Sequence, residues 1–569
     1  MIHYQLEFDD FSQHLIHVTV RFLANPQQQL WLPTWIPGSY LVREFSKHME
    51  SVQAYDEAGR ILKIRKIKKN RWELFNNDHE LITVEYKVYA YDLSVRGSYL
   101  DQTRAYVNPA AVCLGLDGQE NTPHEVDLFL PEELKHFSYA GALPSRSFVK
   151  GRFNLKADNY AQLIDSPFEL AEQDRFSFEA EGIPHEFVLS GMHHANMDRL
   201  KQDLEKICTT EIQMFGSAPF KHYTFMTMAT GSLYGGLEHC ESTSLICPRT
   251  DLPKHNEAEK PSKDYQRYLG LCSHEYFHSW LVKFIRPENY VIPNLNEEGY
   301  TSLLWIFEGF TSYYDDLILA RSGVISQDDY LALLTEQINR YLQNPGRNLQ
   351  TVADSSFDAW IKFYRQDENS NNAGTSYYNK GALVALCLDL GLRTYGSSLD
   401  AVMRRLYQNA EQGIQVNETT IIEICQELTS QDWAERVFHL VKTTDELPLQ
   451  EVLELYGLKY TLQTDKTLAF GAKTQEKPEG LLVQQLLRES NAAKAGLSAL
   501  DVVVAIDGIK ATASVWQAKA KEQHSMQCYA FRRDELMQFT VQPQDYVLQS
   551  VKLSVEQQDK VNSWLYNQN

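Results

Sequence analysis

Nowhere in this 569-residue chain do apolar residues run on for the roughly 18 to 20 positions that a membrane-spanning helix needs. Positive charge is scarce as well. The 54 lysines and arginines face 75 aspartates and glutamates, a formal charge of −21. That excludes a general nucleic-acid binder, which needs clustered cations, and disfavours docking on anionic lipid. The one basic run, Lys63 to Arg71, reads as a solvated strand-and-turn face. Eight cysteines are scattered without any Cys-x-x-Cys pair. They are expected to be reduced, mostly buried thiols of a cytoplasmic protein. The first residues, Met1-Ile-His-Tyr-Gln-Leu, lack a basic segment followed by an apolar run, so no secretory leader is expected. There is no fixed-period repeat and no low-complexity tract.

What is there is ordinary for a globular chain, with 43% hydrophobic and 23% charged residues. The length exceeds what one core supports and predicts roughly two to four domains. In Ile16-His-Val-Thr-Val-Arg-Phe22 and Ile82-Thr-Val-Glu-Tyr-Lys-Val88, apolar residues take alternate positions, the period of a half-buried strand. Turn residues such as Asn25-Pro26 and Pro37-Gly38 punctuate this region, and no long helical period precedes about residue 195. An antiparallel β domain over 1–170 is expected. Residues 171–462 read as mostly helical with a small sheet. Ser326-x-x-Asp329 resembles a capping box ahead of Leu331, Leu334, Ile338 and Tyr341, which share one helical face. Tyr223 to Met228 reads as a strand leading into Gly231-Ser-Leu-Tyr-Gly-Gly-Leu-Glu-His239. A polar stretch over 463–480, through Thr464-Asp465-Lys466, predicts a linker. A compact segment within 463–548 follows, then a polar tail over 549–569 with a helical pattern.

The chemistry sits in Ser273-His274-Glu275-Tyr276-Phe277-His278. Two histidines four apart lie on one face of a helix and can hold one tetrahedral metal, with zinc the usual ion. The flanking Leu269, Leu271, Trp280, Leu281 and Val282 make this a buried helix. A polar trio there needs internal partners, which a metal supplies. A catalytic zinc takes a third protein ligand. Glu308 is the best candidate, a lone carboxylate in Leu303-Leu-Trp-Ile-Phe-Glu-Gly-Phe310. Glu297 and Glu298 are rivals in a loop-like stretch expected to be exposed. Asp315 or Asp316 would hold a ligand histidine through its second ring nitrogen, unless they only face solvent. Glu275 points about 100° away from the two histidines around the helix and suits a general base. An oxyanion donor is also needed, and Tyr377-Tyr378 opens an apolar helix where one hydroxyl would serve.

These motifs, in this order, resemble the glycyl aminopeptidase family of gluzincin peptidases over nearly the whole chain. Beside His274-Glu-x-x-His278 and Glu308-Gly-Phe-Thr-Ser312 stand three more matches. Gly235-Gly236-Leu237-Glu238-His239 is similar to the exopeptidase motif of the larger zinc aminopeptidases, with Leu237 and His239 departing from its Met and Asn. Tyr378-Asn-Lys-Gly381 is similar to the stretch that carries their catalytic tyrosine. Trp35-Ile-Pro-Gly-Ser-Tyr40 resembles the family's N-terminal motif. Lys283-Phe-Ile-Arg286-Pro lengthens the spacing to Glu308 as this family does. The C-terminal segment, with Gly480-Leu-Leu-Val483 and Asp501-Val-Val-Val-Ala-Ile-Asp-Gly508, resembles a PDZ domain of the bacterial protease type. Leu500-Asp501 stands where that pattern has Gly-Asp.

The resemblance implies a multidomain α+β protein: an N-terminal β domain, a thermolysin-like catalytic domain and a C-terminal PDZ domain. It implies one zinc ion on His274, His278 and Glu308, with Glu275 activating water and Tyr378 stabilising the oxyanion. Glu238 would pair with a free α-ammonium group, while Gly235 and Gly236 keep the strand open to substrate backbone. The expected activity is removal of N-terminal residues, small ones such as Gly or Ala, from peptides. The expected partners are peptides with a free N-terminus and a peptide or C-terminus at residues 480–483, read as a carboxylate-binding loop. Two alternatives stay open on sequence: an endopeptidase on the same metal site, or a PDZ-containing binding protein with an inactive peptidase domain. The oligomeric state is not readable.

Overall fold

Alternation becomes burial in the first strand, Ile2–Asp10, where Ile2, Tyr4, Leu6 and Phe8 all point into the core. Its neighbour Leu15–Ala24 buries Ile16, Val18, Val20, Phe22 and Ala24 in the same way. Each buried Val, Leu, Ile or Phe among them contributes about 1.5–3 kcal/mol. The computed structural model describes residues 1–76, 78–147, 149–465, 470–522, 524–542 and 548–566. It divides into two compact units, one of Met1–Gly299, Tyr314–Ile325 and Met403–Asn417, the other of Tyr300–Tyr313, Ser326–Val402 and Glu418–Asn569.

The first unit holds an eight-stranded sheet and two four-stranded sheets. The expectation of a purely antiparallel domain needs one correction. Ile2–Asp10 runs antiparallel to Leu15–Ala24 but parallel to His124–Phe129, in register from Ile2↔His124 to Glu7↔Phe129. A long excursion separates the two parallel strands, and parallel pairing requires such a crossover. The unit also holds a five-stranded sheet with a parallel centre: Ile183–Ser190, Tyr223–Thr230 and Ser242–Pro248. Gly235–Glu238 is one of its two antiparallel edge strands, Asp174–Ala180 the other. Two helices follow this sheet's logic. Met197–Phe215 starts at Asn196, whose side chain accepts from Arg199 N–H. Lys263–Phe277 starts at Ser262, whose hydroxyl accepts from Tyr265 N–H.

The second unit is helical, then β-rich. The expected capping box is present, with Ser326 and Asp329 opening helix Gln327–Leu342. Helix Asn379–Arg393 is almost wholly buried. Beyond it, Ala472–Lys477, Gly480–Leu486, Val502–Ile506, Met526–Arg532 and Glu535–Val541 form one sheet around Leu481, Val483, Val503, Ile506, Trp516 and Phe539. The departure noted at Leu500 has a backbone consequence. Leu500 adopts φ 71°, a left-handed conformation that glycine takes freely and leucine does not.

Three C-terminal expectations change. Residues 480–483 are not a loop. They lie in a central strand, where Leu481 and Leu482 pair with Glu476 and Gln475 on one side and with Val503 and Val502 on the other. Both backbone edges are used, so no carboxylate is received there. The expected linker over 463–480 is largely strand, Leu458–Asp465 and Ala472–Lys477; Lys466 and the rest of 466–469 lie outside the described residues. The segment read as a polar tail returns as strand Leu548–Val555, antiparallel to Leu458–Asp465, then helix Gln558–Leu565. Val561, Trp564 and Leu565 of that helix are buried, and Trp564 donates to the Tyr313 hydroxyl at 3.1 Å. Residues 567–569 of that tail lie outside the described residues. Among the described residues no helix is long and apolar enough to cross a membrane.

Candidate active site

Helix Lys263–Phe277 delivers His274 and Glu275, and His278 caps its C-terminus. The four-residue spacing brings the two Nε2 atoms to 3.1 Å. Each outer nitrogen has its own partner. His274 Nδ1 meets Asp315 Oδ2 at 3.1 Å, and His278 Nδ1 meets the Leu281 carbonyl at 3.0 Å. With Nδ1–H donating outward, both Nε2 lone pairs face one another, an arrangement that repels unless a cation lies between. Asp315 is thus the aspartate that orients a histidine. Among the described residues, one ligand atom from each of His274, His278 and Glu308 lies within 4.8 Å of the others. Two imidazoles and a carboxylate form a zinc donor set with room for a further ligand. Of the rivals, Glu297 is exposed and Glu298 half-buried.

Glu308 sits between the short helix Leu304–Phe307 and helix Gly309–Arg321, and it is 1% exposed. Its helical run continues through it, with Glu308 N–H on the Leu304 carbonyl and Ser312 N–H on that of Glu308. A Cβ on Gly309 would fall 2.6 Å from Gly381 Cα, so two helices touch backbone to backbone beside Glu308. Gly381 lies in the first turn of helix Asn379–Arg393, just after Tyr377 and Tyr378. Tyr377 is fully buried; burial first, then Tyr364 and the Glu308 charge, push its hydroxyl well above the usual range. Tyr378 is half-buried, with its hydroxyl 3.1 Å from that of Tyr364.

Glu238 ends the edge strand Gly235–Glu238 and is 4% exposed. Its Oε1 is buried with no hydrogen-bond partner among the described residues. Ligand atoms of Glu238, Glu275 and His278 also lie within 4.8 Å of one another. Gly236 is close to Glu275, since a Cβ there would stand 2.2 Å from Glu275 Oε1. The Gly236 carbonyl accepts from Arg96 Nη2 at 3.2 Å. Gly38, at φ +101°, abuts Glu238 in the same way, with a would-be Cβ 2.2 Å from its Oε1.

Sequence reasoning missed what holds this corner. Lys283 Nζ is 2.7 Å from Asp165 Oδ1 and 3.3 Å from the Pro37 carbonyl. Asp165 accepts the Cys240 N–H at 2.9 Å and faces His239 Nδ1 at 3.4 Å. Burial would raise the Asp165 carboxyl, but the Lys283 ammonium, His239 and Cys240 together outweigh it and hold it far below the usual carboxylate range. Val282, just before Lys283, takes φ 85°, which a β-branched residue avoids. Its N–H on Ile285 O and Lys283 N–H on His278 O fix this strained turn just after helix Lys263–Phe277.

Comparison with known proteins fits this geometry. The profile described as Peptidase M61 N-terminal domain matches residues 3–172, and that described as M61 glycyl aminopeptidase matches 267–384. A crystal structure of an aminopeptidase N family protein from Idiomarina loihiensis is 40% identical, with a TM-score of 0.96, over 99% of this chain and 100% of that one. The chain belongs to the peptidase M61 family. No curated protein matches it. More distantly, Legionella pneumophila aminopeptidase A, solved with aspartic acid, is 13% identical at a TM-score of 0.50, over 77% of this chain and 49% of that one. That likeness concerns fold alone. An M1 zinc metallopeptidase from Deinococcus radiodurans is 13% identical at 0.48, over 79% and 94%. This M61 chain is a metallopeptidase. Of the missed pair, Lys283 lay in a quoted motif, Lys283 to Pro287, while Asp165 lay in none; the Pro37 carbonyl that Lys283 also reaches belongs to the motif Trp35 to Tyr40.

Proposed function

We propose that this M61 peptidase is a zinc aminopeptidase that releases N-terminal residues, preferably small ones such as Gly or Ala, from peptides. His274, His278 and Glu308 would hold one zinc ion. Bound there, zinc would polarise the scissile carbonyl and acidify the attacking water. Glu275, one residue from His274, takes a proton from that water and returns it to the leaving amine. The Tyr378 hydroxyl donates to the developing oxyanion. Glu238 pairs with the substrate α-ammonium group, and Gly235 and Gly236 leave the strand edge free for substrate backbone.

One observation carries the exopeptidase reading. A buried carboxylate oxygen of Glu238, without a hydrogen-bond partner among the described residues, lies in the same cluster as Glu275 and His278. A buried anion of this kind requires a cation, and a peptide's free N-terminus supplies one. Eight unbonded cysteines support a reducing compartment such as the cytoplasm. The β-rich sheet over 470–542 supports a PDZ-like reading of that segment, though with no ligand site at 480–483.

The test is turnover of amino-acid arylamides with zinc and with chelator, beside N-acetylated versions. Free-amine Ala and Gly arylamides should be cleaved, chelator should abolish this, and acetylation should block it. Glu275→Gln should retain zinc and lose nearly all turnover. Equal rates on acetylated substrates would show an endopeptidase. Metal-free, inactive protein that zinc does not rescue would show a retired site.

A further inference from the structure

The second unit has a cleft of about 610 Å³ with an unusual lining. This is within the roughly 300–1,000 Å³ of clefts that hold small ligands. In a chain of charge −21, it presents Arg340, Lys362, Arg365 and Lys473 against one carboxylate, Asp367. That carboxylate is occupied, accepting from Asn369 N–H and the Ser370 hydroxyl, each at 3.0 Å. Lys362 is also engaged, 2.6 Å from Asp358. Arg340, Arg365 and Lys473 are exposed, and none forms an ion pair among the described residues. Three uncompensated cations on one concave surface make a receptor for an anion.

The cleft shares a wall with Tyr378. Phe363 lines it and stacks on the Tyr378 ring, with centroids 5.3 Å apart and planes 29° apart. Tyr364, between Phe363 and Arg365, places its hydroxyl 3.1 Å from that of Tyr378. Ser376, two residues before Tyr378, lines the cleft as well. The far wall comes from the β-rich segment, through Lys473 and Gln485. That segment is fastened here, with Asn372 Nδ2 on the Leu486 carbonyl at 2.7 Å and Arg488 N–H on Asn372 Oδ1 at 3.1 Å.

We propose that this cleft receives the C-terminal carboxylate of a short peptide substrate, whose scissile bond lies beside Tyr378. This rests on the aminopeptidase reading above and adds to it the substrate class: free oligopeptides with both termini unblocked. It also gives the C-terminal β-rich segment a role in substrate recognition, through Lys473, rather than at the central strand 480–483.

The experiment compares Ala-Ala-Ala, Ala-Ala-Ala-amide and alanine p-nitroanilide on the zinc-loaded full chain, wild type and with Arg340→Gln, Arg365→Gln or Lys473→Gln. The free acid should be preferred over the amide by about tenfold in kcat/KM, through KM. Each substitution should lower that preference, by about fivefold at most, the scale of a partly exposed ion pair. The anilide has no carboxylate and should hold within twofold across the series. Equal turnover of acid and amide by the wild type overturns the proposal while leaving the aminopeptidase reading intact. A parallel loss on all three substrates also overturns it, since that is structural damage. If wild type cleaves no anilide and no peptide, the aminopeptidase reading fails and takes this one with it.

Discussion

Gly38→Ala isolates the contact between the N-terminal motif and the Glu238 carboxylate. Gly38 has φ +101°, and a Cβ there would lie 2.2 Å from Glu238 Oε1, 2.5 Å from Cδ and 2.8 Å from Oε2. Ordinary van der Waals contact starts near 3.4 Å, so the carboxylate must withdraw by about 1 Å. It has little room, being 4% exposed on a strand paired at Thr243. A displacement of about 1 Å in a positioning group costs about 10²-fold, so kcat/KM on alanine arylamide should fall about 100-fold, or about 2.7 kcal/mol. The variant also carries backbone strain of about 1–2 kcal/mol from an L-residue at positive φ. Gly59→Ala separates the two effects. Gly59 has φ +75° with nothing within 4 Å, so it suffers the strain without the collision. Both variants should lose stability by urea denaturation, Gly38→Ala the more because of the collision, and both should keep their zinc. Only Gly38→Ala should lose free-amine turnover. If the two variants turn over alanine arylamide within threefold of each other, Glu238 does not hold the substrate amine.

Two further outcomes are expected. Asp315→Ala removes the carboxylate that fixes His274 Nδ1 at 3.1 Å, and zinc affinity measured by chelator competition should fall 10- to 100-fold, roughly the cost of losing such a support; unchanged affinity would remove that role. The first unit should also be acid-labile. Burial pushes the imidazoles of His124 and His185 down to about 4, whereas the unfolded chain titrates near 6.5. The unfolded state therefore takes up protons that the native state refuses, so stability is full above about pH 6.5 and is lost as pH falls towards 4. Each histidine should cost about 2 kcal/mol between pH 7 and pH 5. Urea denaturation at the two values reads this, His124→Phe should remove about half the slope, and equal stability at both would refute the assignment.

How much was legible depended on sequence distance. Strand alternation at Ile16–Phe22 and the Ser326–Asp329 box are local patterns, and the structure keeps both. So is His274-x-x-x-His278, because helical geometry alone brings the two Nε2 atoms together. The Asp315 support was reachable only as one of two adjacent aspartates, since which face of Gly309–Arg321 is turned inward is a tertiary fact. The loop expected at 480–483 failed for a related reason. Gly480-Leu-Leu-Val483 reads equally well as a turn or as a buried strand, and pairing on both sides decides it. Leu458–Asp465 was hidden because its partner, Leu548–Val555, lies some ninety residues away in a stretch that read as a tail.

The Asp165–Lys283 pair illustrates why the corner around Glu238 was harder to read than helix Lys263–Phe277. It joins four segments from distant parts of the sequence: Pro37, Asp165, His239–Cys240 and the turn after His278. Stability is a poor explanation for it, because a buried ion pair often costs as much in desolvation as it returns, and apolar residues of similar volume would serve as well. Apolar residues would not, however, bind the Cys240 N–H and the Pro37 carbonyl at fixed points. The pair fixes Glu238 from the residues that follow it, while Gly38, next to Pro37, closes over its carboxylate. Lys283 also interacts electrostatically with Glu238. Positioning, then, accounts for a buried charge pair that thermodynamic stability alone would not select.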